Sequence, residues 1–283
     1  MRLLITNDDG ILAPGIAVLA RSVAQWIERC PAGDVREAII AAPHINYSGM
    51  SSAVGDVFDT PSVKYRRHVI DGAESIPAYG LEAPPALCAI IGATGGLDFQ
   101  PDLILSGINA GANVGRSVLH SGTIGAILTG AQLGLSGLAV SVQWGEEVHY
   151  DTAAAVAVEV LEEFLNAPSR TLLNLNVPNL PASELKGVRR GRISTAGIVK
   201  SAGPKAGGEA LADVGELPLR LGAATPQLGD VSDEDADEDG ALIVAGYASL
   251  TALRGPHEDD DPSLDTLMHS ALATIARHLD VLR

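Results

Sequence analysis

Two adjacent acids, Asp8 and Asp9, follow a short apolar run in LLITNDDGILAPG, residues 3–15. Neighbouring carboxylates at ~4 Å and an effective dielectric of ~20 repel by about 4 kcal/mol. A divalent cation removes that conflict, and hard cations such as Mg²⁺ take oxygen ligands. The plainer alternative is that one Asp caps the following helix and the other is solvated. Ser48-Gly49, in HINYSGMSSAVG, sets a hydroxyl beside a flexible backbone. It suits contact with a metal or a phosphate, or an ordinary polar turn. Asn109 and Asn113 offer amides within SGINAGANVG, where glycines allow close backbone approach. Ser121-Gly122-Thr123 precedes an Ala/Ile/Leu helix. The free N–H groups of that helix start would cradle an anion, and Ser121 is equally a plain N-cap. His120 stays out of the set, because a lone His is more often structural.

The elements around these residues must bring them together. Leu3 to Ile5 is an apolar run of the kind a strand buried on both faces requires. Pro14 suits the first turn of a helix, and helical spacing continues through Ile16, Leu19, Val23 and Ile27. Further strands are expected over 35–42, 63–70, 102–105, 138–142 and 171–175, with helices over 86–93, 123 onward and 151–165. This alternation predicts an α/β fold, a Rossmann-like three-layer core with a mostly parallel sheet. In such sheets ligands bind beyond the carboxyl ends of the strands, where Asp8 and Asp9 would lie. From about residue 181 to 261 the pattern becomes polar and interrupted by Gly and Pro, which reads as an extended C-terminal arm or hairpin. Weak strand signals there are 188–193 and 217–221, with a stronger one at 247–253. The acidic run 230–239 begins like a calcium loop, but Gly246 stands where the bidentate Glu is required, so it reads as a solvated loop. An amphipathic helix over 264–282 closes the chain, giving a single domain over 1–283 with its core at about 1–180 plus 262–283.

Composition narrows the function. Apolar residues are 46% of the 283, enough for a substantial core, and the net charge of -16 argues against a surface for nucleic acid polymers. Cys30 and Cys88 lack metal-ligand spacing and fit buried thiols in a reducing compartment. With no signal peptide and no apolar run of membrane-spanning length, the expectation is a cytoplasmic protein without a membrane partner. Neither a dinucleotide fingerprint nor a Walker loop is present.

Taken together, TNDDGILAPGI, APHINYSGMSSA, SGINAGANVG, SGTIGA, NLNVPN and GYASLTAL resemble, in order and over nearly the whole chain, the SurE ("survival protein E") family. The resemblance implies a metal-dependent phosphatase, a 5′/3′-nucleotidase acting on nucleoside monophosphates. It implies one divalent cation per subunit, Mg²⁺ or Mn²⁺, held by Asp8, Asp9, Ser48 and Asn109. Asp8 and Asp9 are then the catalytic candidates, and Asn113, Ser121, Gly122 and Thr123 lie near the phosphate. A homodimer or homotetramer is also implied, often through exchange of the arm. The chain departs from the usual pattern at His44-Ile45, at Ala252 in SLTAL and in the acidic stretch before Gly246. A haloacid-dehalogenase-type register would place Asn7 at the nucleophile, and Asn cannot form an aspartyl phosphate. The competing class is a non-catalytic nucleotide-sensing or interaction protein on the same fold.

Overall fold

The computed structural model describes residues 1–31, 36–57, 59, 62–194, 199–201, 219–221, 235–256 and 268–269. In chain order, the first half comprises β1 (Arg2–Thr6), α1 (Pro14–Glu28), β2 (Glu37–Pro43), β3 (Tyr65–His68), β4 (Ala78–Leu81), α2 (Pro85–Ala93) and β5 (Leu103–Ala110). A 3-10 helix, Gly115–His120, leads into α3 (Gly122–Gln132). There follow β6 (Ser136–Val142), α4 (Tyr150–Phe164), β7 (Leu172–Val177), β8 (Val188–Arg190), β9 (Val199–Ser201), β10 (Leu219–Leu221), α5 (Asp239–Val244) and β11 (Ala248–Leu253).

Nine strands form one sheet in the order β3-β4-β2-β1-β5-β6-β7-β11-β8. Its centre, from β4 to β7, is parallel throughout. Alternation along the strands assigns the two faces. Leu3, Ile5, Leu103, Leu105, Leu138 and Val140 pack with α1 and α4, whereas Leu4, Ile104 and Ala139 pack with α2 and α3. The helix–sheet–helix layering expected of continuous apolar strands is therefore present. β1 is central, with β2 on one side and β5 on the other. The chain reverses direction across the sheet between β1 and β5, and the crevice beyond their carboxyl ends is the expected ligand position.

The sheet takes in more of the chain than sequence reading gives it. β8 and β11 fall within the stretch read as arm, yet β11 pairs antiparallel with β7 and parallel with β8. Their backbone groups complete an edge that β7 would otherwise leave open. The separate two-stranded piece β9–β10 lies between them in sequence. The acidic run also differs from expectation: Asp239 at its end is fully buried. Of the expected closing helix 264–282, only Met268 and His269 are described, both helical; the rest, like residues 230–234, lies outside the described residues. Cys88 is buried as expected, but Cys30 only partly. No helix among the described residues is long and apolar enough to cross a membrane.

Candidate metal and phosphate site

β1 delivers the acidic pair. Leu3 to Ile5 are buried apolar side chains, Thr6 is buried as well, and the loop Asn7–Gly10 then turns sharply. Asn7 closes that turn on itself: its amide nitrogen donates to the Gly10 carbonyl at 2.8 Å, and its oxygen accepts the Gly10 N–H at 3.2 Å. Gly10 has φ +103°, a conformation costly for any residue with a side chain. The N-cap of α1 is Ala13, with no side-chain cap. Neither aspartate is therefore spent on the helix, and the capping alternative falls.

Asp8 is buried and Asp9 half-buried. The Asp8 carboxylate accepts from the Thr123 hydroxyl at 2.7 Å. The backbone amides of Gly122 and Thr123, at the start of α3, are also turned toward it. Burial nonetheless holds Asp8 above the ordinary carboxylate range, with these hydrogen bonds working against the shift. Asp9 is raised to about 6, first by burial and second by the charge of Asp8. The N–H of Ala110 and the side chains of Asn46 and Ser48 partly offset that rise. Among the described residues, no Lys, Arg or His pairs with either carboxylate. The repulsion foreseen from adjacency is thus present and uncompensated by protein cations.

The other two loops come to the same place. Tyr47 donates its backbone N–H to the Asp8 carbonyl at 2.7 Å, stitching the β2 loop to the β1 loop. Asn46 donates to Asp9 Oδ1 at 3.2 Å and accepts the Ser48 N–H at 2.7 Å, an Asx turn that fixes Ser48 beside Asp9. β5 continues past its expected end through Asn109 and Ala110, with a register shift between Ser106 and Asn109. The Asn109 amide nitrogen donates to the Gly111 carbonyl at 2.5 Å, so its oxygen is the end left for a ligand. Asp8, Asp9, Ser48 and the Asn109–Ala110 turn therefore share one locale. Tyr150, at the start of α4, is near enough for the charge of Asp9 to raise its phenol, after burial.

The residues expected near phosphate also carry internal duties. Ser121 caps α3, accepting the Ile124 N–H at 3.2 Å. Asn113 donates to Ser141 Oγ at 2.9 Å and lies 3.4 Å from Thr123 Oγ1. Gly122 lies against Asp8: a Cβ there would stand 2.8 Å from Asp8 Cβ and 2.9 Å from its Oδ2. Sequence reading misses Asn46, Tyr150 and the bond from Thr123 to Asp8. The Asn46-x-Ser48 spacing was the available signal for the first. Among the described residues, no three His, Cys, Asp or Glu side chains are grouped so as to hold a metal ion. The donor set is instead two carboxylates completed by a hydroxyl and an amide, all oxygen, which fits a hard divalent cation.

A Rossmann-like α/β fold with a carboxylate pair at its switch point defines the class. The chain belongs to the SurE family: the family described as Survival protein SurE matches residues 3–199. The chain is 35% identical over 255 residues to the 5′/3′-nucleotidase SurE of Erwinia tasmaniensis, covering 89% of this chain and 90% of that one. It is 34% identical over 260 residues to the 5′-nucleotidase SurE of Nitrosococcus oceani, covering 90% and 91%. The crystal structure of the SurE protein from Aquifex aeolicus superposes with a TM-score of 0.71 at 26% identity, covering 96% of this chain and 99% of that chain.

Proposed function

We propose that this protein hydrolyses nucleoside 5′-monophosphates, and 3′-monophosphates as well, to nucleoside and phosphate, with one divalent cation per subunit, Mg²⁺ or Mn²⁺. The observation that carries the reading is the pair Asp8 and Asp9, partly withdrawn from water, mutually repelling and, among the described residues, without a cationic side-chain partner. Such a pair is costly in a protein that leaves it empty and is matched by a bound cation. The nucleotide substrate class rests on the relatives named as nucleotidases.

Asp8, Asp9, Ser48 and Asn109 would hold the ion. It supplies positive charge to a phosphoryl oxygen and acidifies water, which slow phosphate ester hydrolysis requires. The chain's own residues do the rest. Thr123 and Gly122 fix Asp8, and Asn46 fixes Asp9 and Ser48. The start of α3 carries a positive end of roughly half a charge, favourable to a phosphate dianion beside Asn113 and Ser121. Asp8 or Asp9, the carboxylates beside the ion, would receive the proton of the attacking water. A homodimer or homotetramer in the cytoplasm is the matching assembly and setting.

The test is phosphate release from AMP and a panel of other mononucleotides, with Mg²⁺ or Mn²⁺ against chelator. Turnover lost with chelator and in Asp8→Asn supports the reading. Nucleotide binding without turnover under every metal would favour a sensor instead.

A further inference from the structure

We infer that Asp239 is a positioning residue for the phosphate-facing turn, joining the base of the arm to the active site. The inference rests on the proposed phosphatase reading and extends it to a residue far away in sequence. Asp239 is fully buried, although it closes an acidic run whose neighbour Asp237 is exposed. Its carboxylate accepts the Gly115 N–H at 3.2 Å and 3.0 Å on its two oxygens, the Ser194 N–H at 3.2 Å and its neighbour Gly240 N–H at 2.8 Å. Burial raises its pKa, with those N–H groups opposing the rise.

The donors lie on separate parts of the fold. Ser194 lies in sequence between β8 and β9, on the outgoing side of the arm. The returning base is held next to it. Arg192 donates its N–H to the Asp237 carbonyl at 2.9 Å, and Asp239 donates to the Arg192 carbonyl at 2.8 Å. The Arg192 side chain pairs with Asp237 at 3.0 Å and Glu238 at 3.2 Å.

Gly115 opens the 3-10 helix that runs directly into Ser121, Gly122 and Thr123. Asn113, two residues earlier, is clamped by Asn174 and Asn176 of β7, which both donate to its carbonyl. At its far end this loop is tied to the Ser48 loop: Ser51 donates to the carbonyls of His120 at 3.2 Å and Leu119 at 2.7 Å. The whole segment from Asn113 to Thr123 thus hangs between β7, Asp239 and the Ser48 loop. Asp239 holds the start of that segment, and its two-oxygen grip on Gly115 sets where the turn begins. An amide in its place has one accepting oxygen, and its NH₂ would face an N–H of Gly115 or Ser194.

The test compares wild type and Asp239→Asn at a temperature where both are folded by circular dichroism. The expected result is kcat per folded molecule down by about tenfold or more and a Ki for inorganic phosphate up by a similar factor, because a small displacement at a reacting centre is expensive. A purely structural role would lower the melting temperature while leaving kcat and Ki within twofold, and that result overturns the inference. If Asp239→Asn does not fold, amide exchange in the wild type decides, measured in Mn²⁺ with and without inorganic phosphate. Phosphate must slow exchange at Arg192–Ser194 and Asp237–Gly240 as well as at Gly115–Thr123; protection confined to the latter overturns the inference. A wild type that hydrolyses no phosphomonoester sinks the enzymatic reading, a result separate from an unchanged Asp239→Asn.

Discussion

Asp9→Asn should stabilise the metal-free protein while removing its capacity to hold the cation. In the folded chain Asp9 titrates at about 6, against 3.8 for the unfolded group. The folded state therefore binds more protons than the unfolded state between those values, and stability falls as pH rises through that window. Above it the penalty is complete, at about 3 kcal/mol from 1.36 kcal/mol per pH unit. Part of the carboxylate faces solvent, so about 2 kcal/mol is the expected net effect. In a chain of this size that corresponds to about 5 °C in melting temperature. The assay is thermal unfolding in chelator at pH 7.5 and pH 5. Asp9→Asn should melt about 5 °C above wild type at pH 7.5, with the gap roughly halved at pH 5. Adding Mn²⁺ should raise the wild type but not the variant, because binding to the native state alone stabilises it. A variant that melts lower than wild type in chelator at pH 7.5 would refute the reasoning, since Asp9 would then be stabilising as it stands.

Other outcomes follow from the same geometry. Protons compete with the cation for Asp9 and Asp8, so the apparent Mn²⁺ affinity, measured by calorimetry, should weaken about tenfold or more between pH 7.5 and pH 5. Gly122→Ala places a methyl group 2.8 Å from Asp8 Cβ; kcat should fall about 100-fold in steady-state assays, with a loss of about 1–3 kcal/mol of stability. Thr123→Val removes the 2.7 Å bond to Asp8 and should cost about 1–3 kcal/mol in denaturant unfolding while weakening Mn²⁺ binding. Asn46→Ala should leave the fold intact and raise the metal concentration needed for half-maximal turnover, because Ser48 and Asp9 lose their shared anchor.

The acidic loop, Pro14 at the start of α1 and the central strands were legible because each carries local punctuation: an apolar run, a turn cluster and a proline that fits only a first turn. That the loops of Ser48 and Asn109 meet the acidic pair was legible only from the ordered motif set, since each residue alone reads as an ordinary turn residue. The roles of Thr123 and Asn46 were hidden because they depend on loops far apart in sequence meeting. Asp239 was hidden for another reason. Nothing within a run of acids marks which one will be buried; that is decided by the N–H groups of Gly115 and Ser194, which the sheet brings to it. β8 and β11 both carried strand signals, but their place in the sheet was hidden: β8 is short and exposed, and β11 joins the core only through its pairing with β7.

The central claim is that a divalent cation sits among Asp8, Asp9, Ser48 and Asn109. Anomalous diffraction from crystals grown with Mn²⁺ tests it most directly. The account predicts one strong peak per subunit within bonding distance of both aspartates, the serine hydroxyl and the asparagine amide oxygen. Saturating Mn²⁺ with no peak there, or a peak ligated elsewhere, would contradict it.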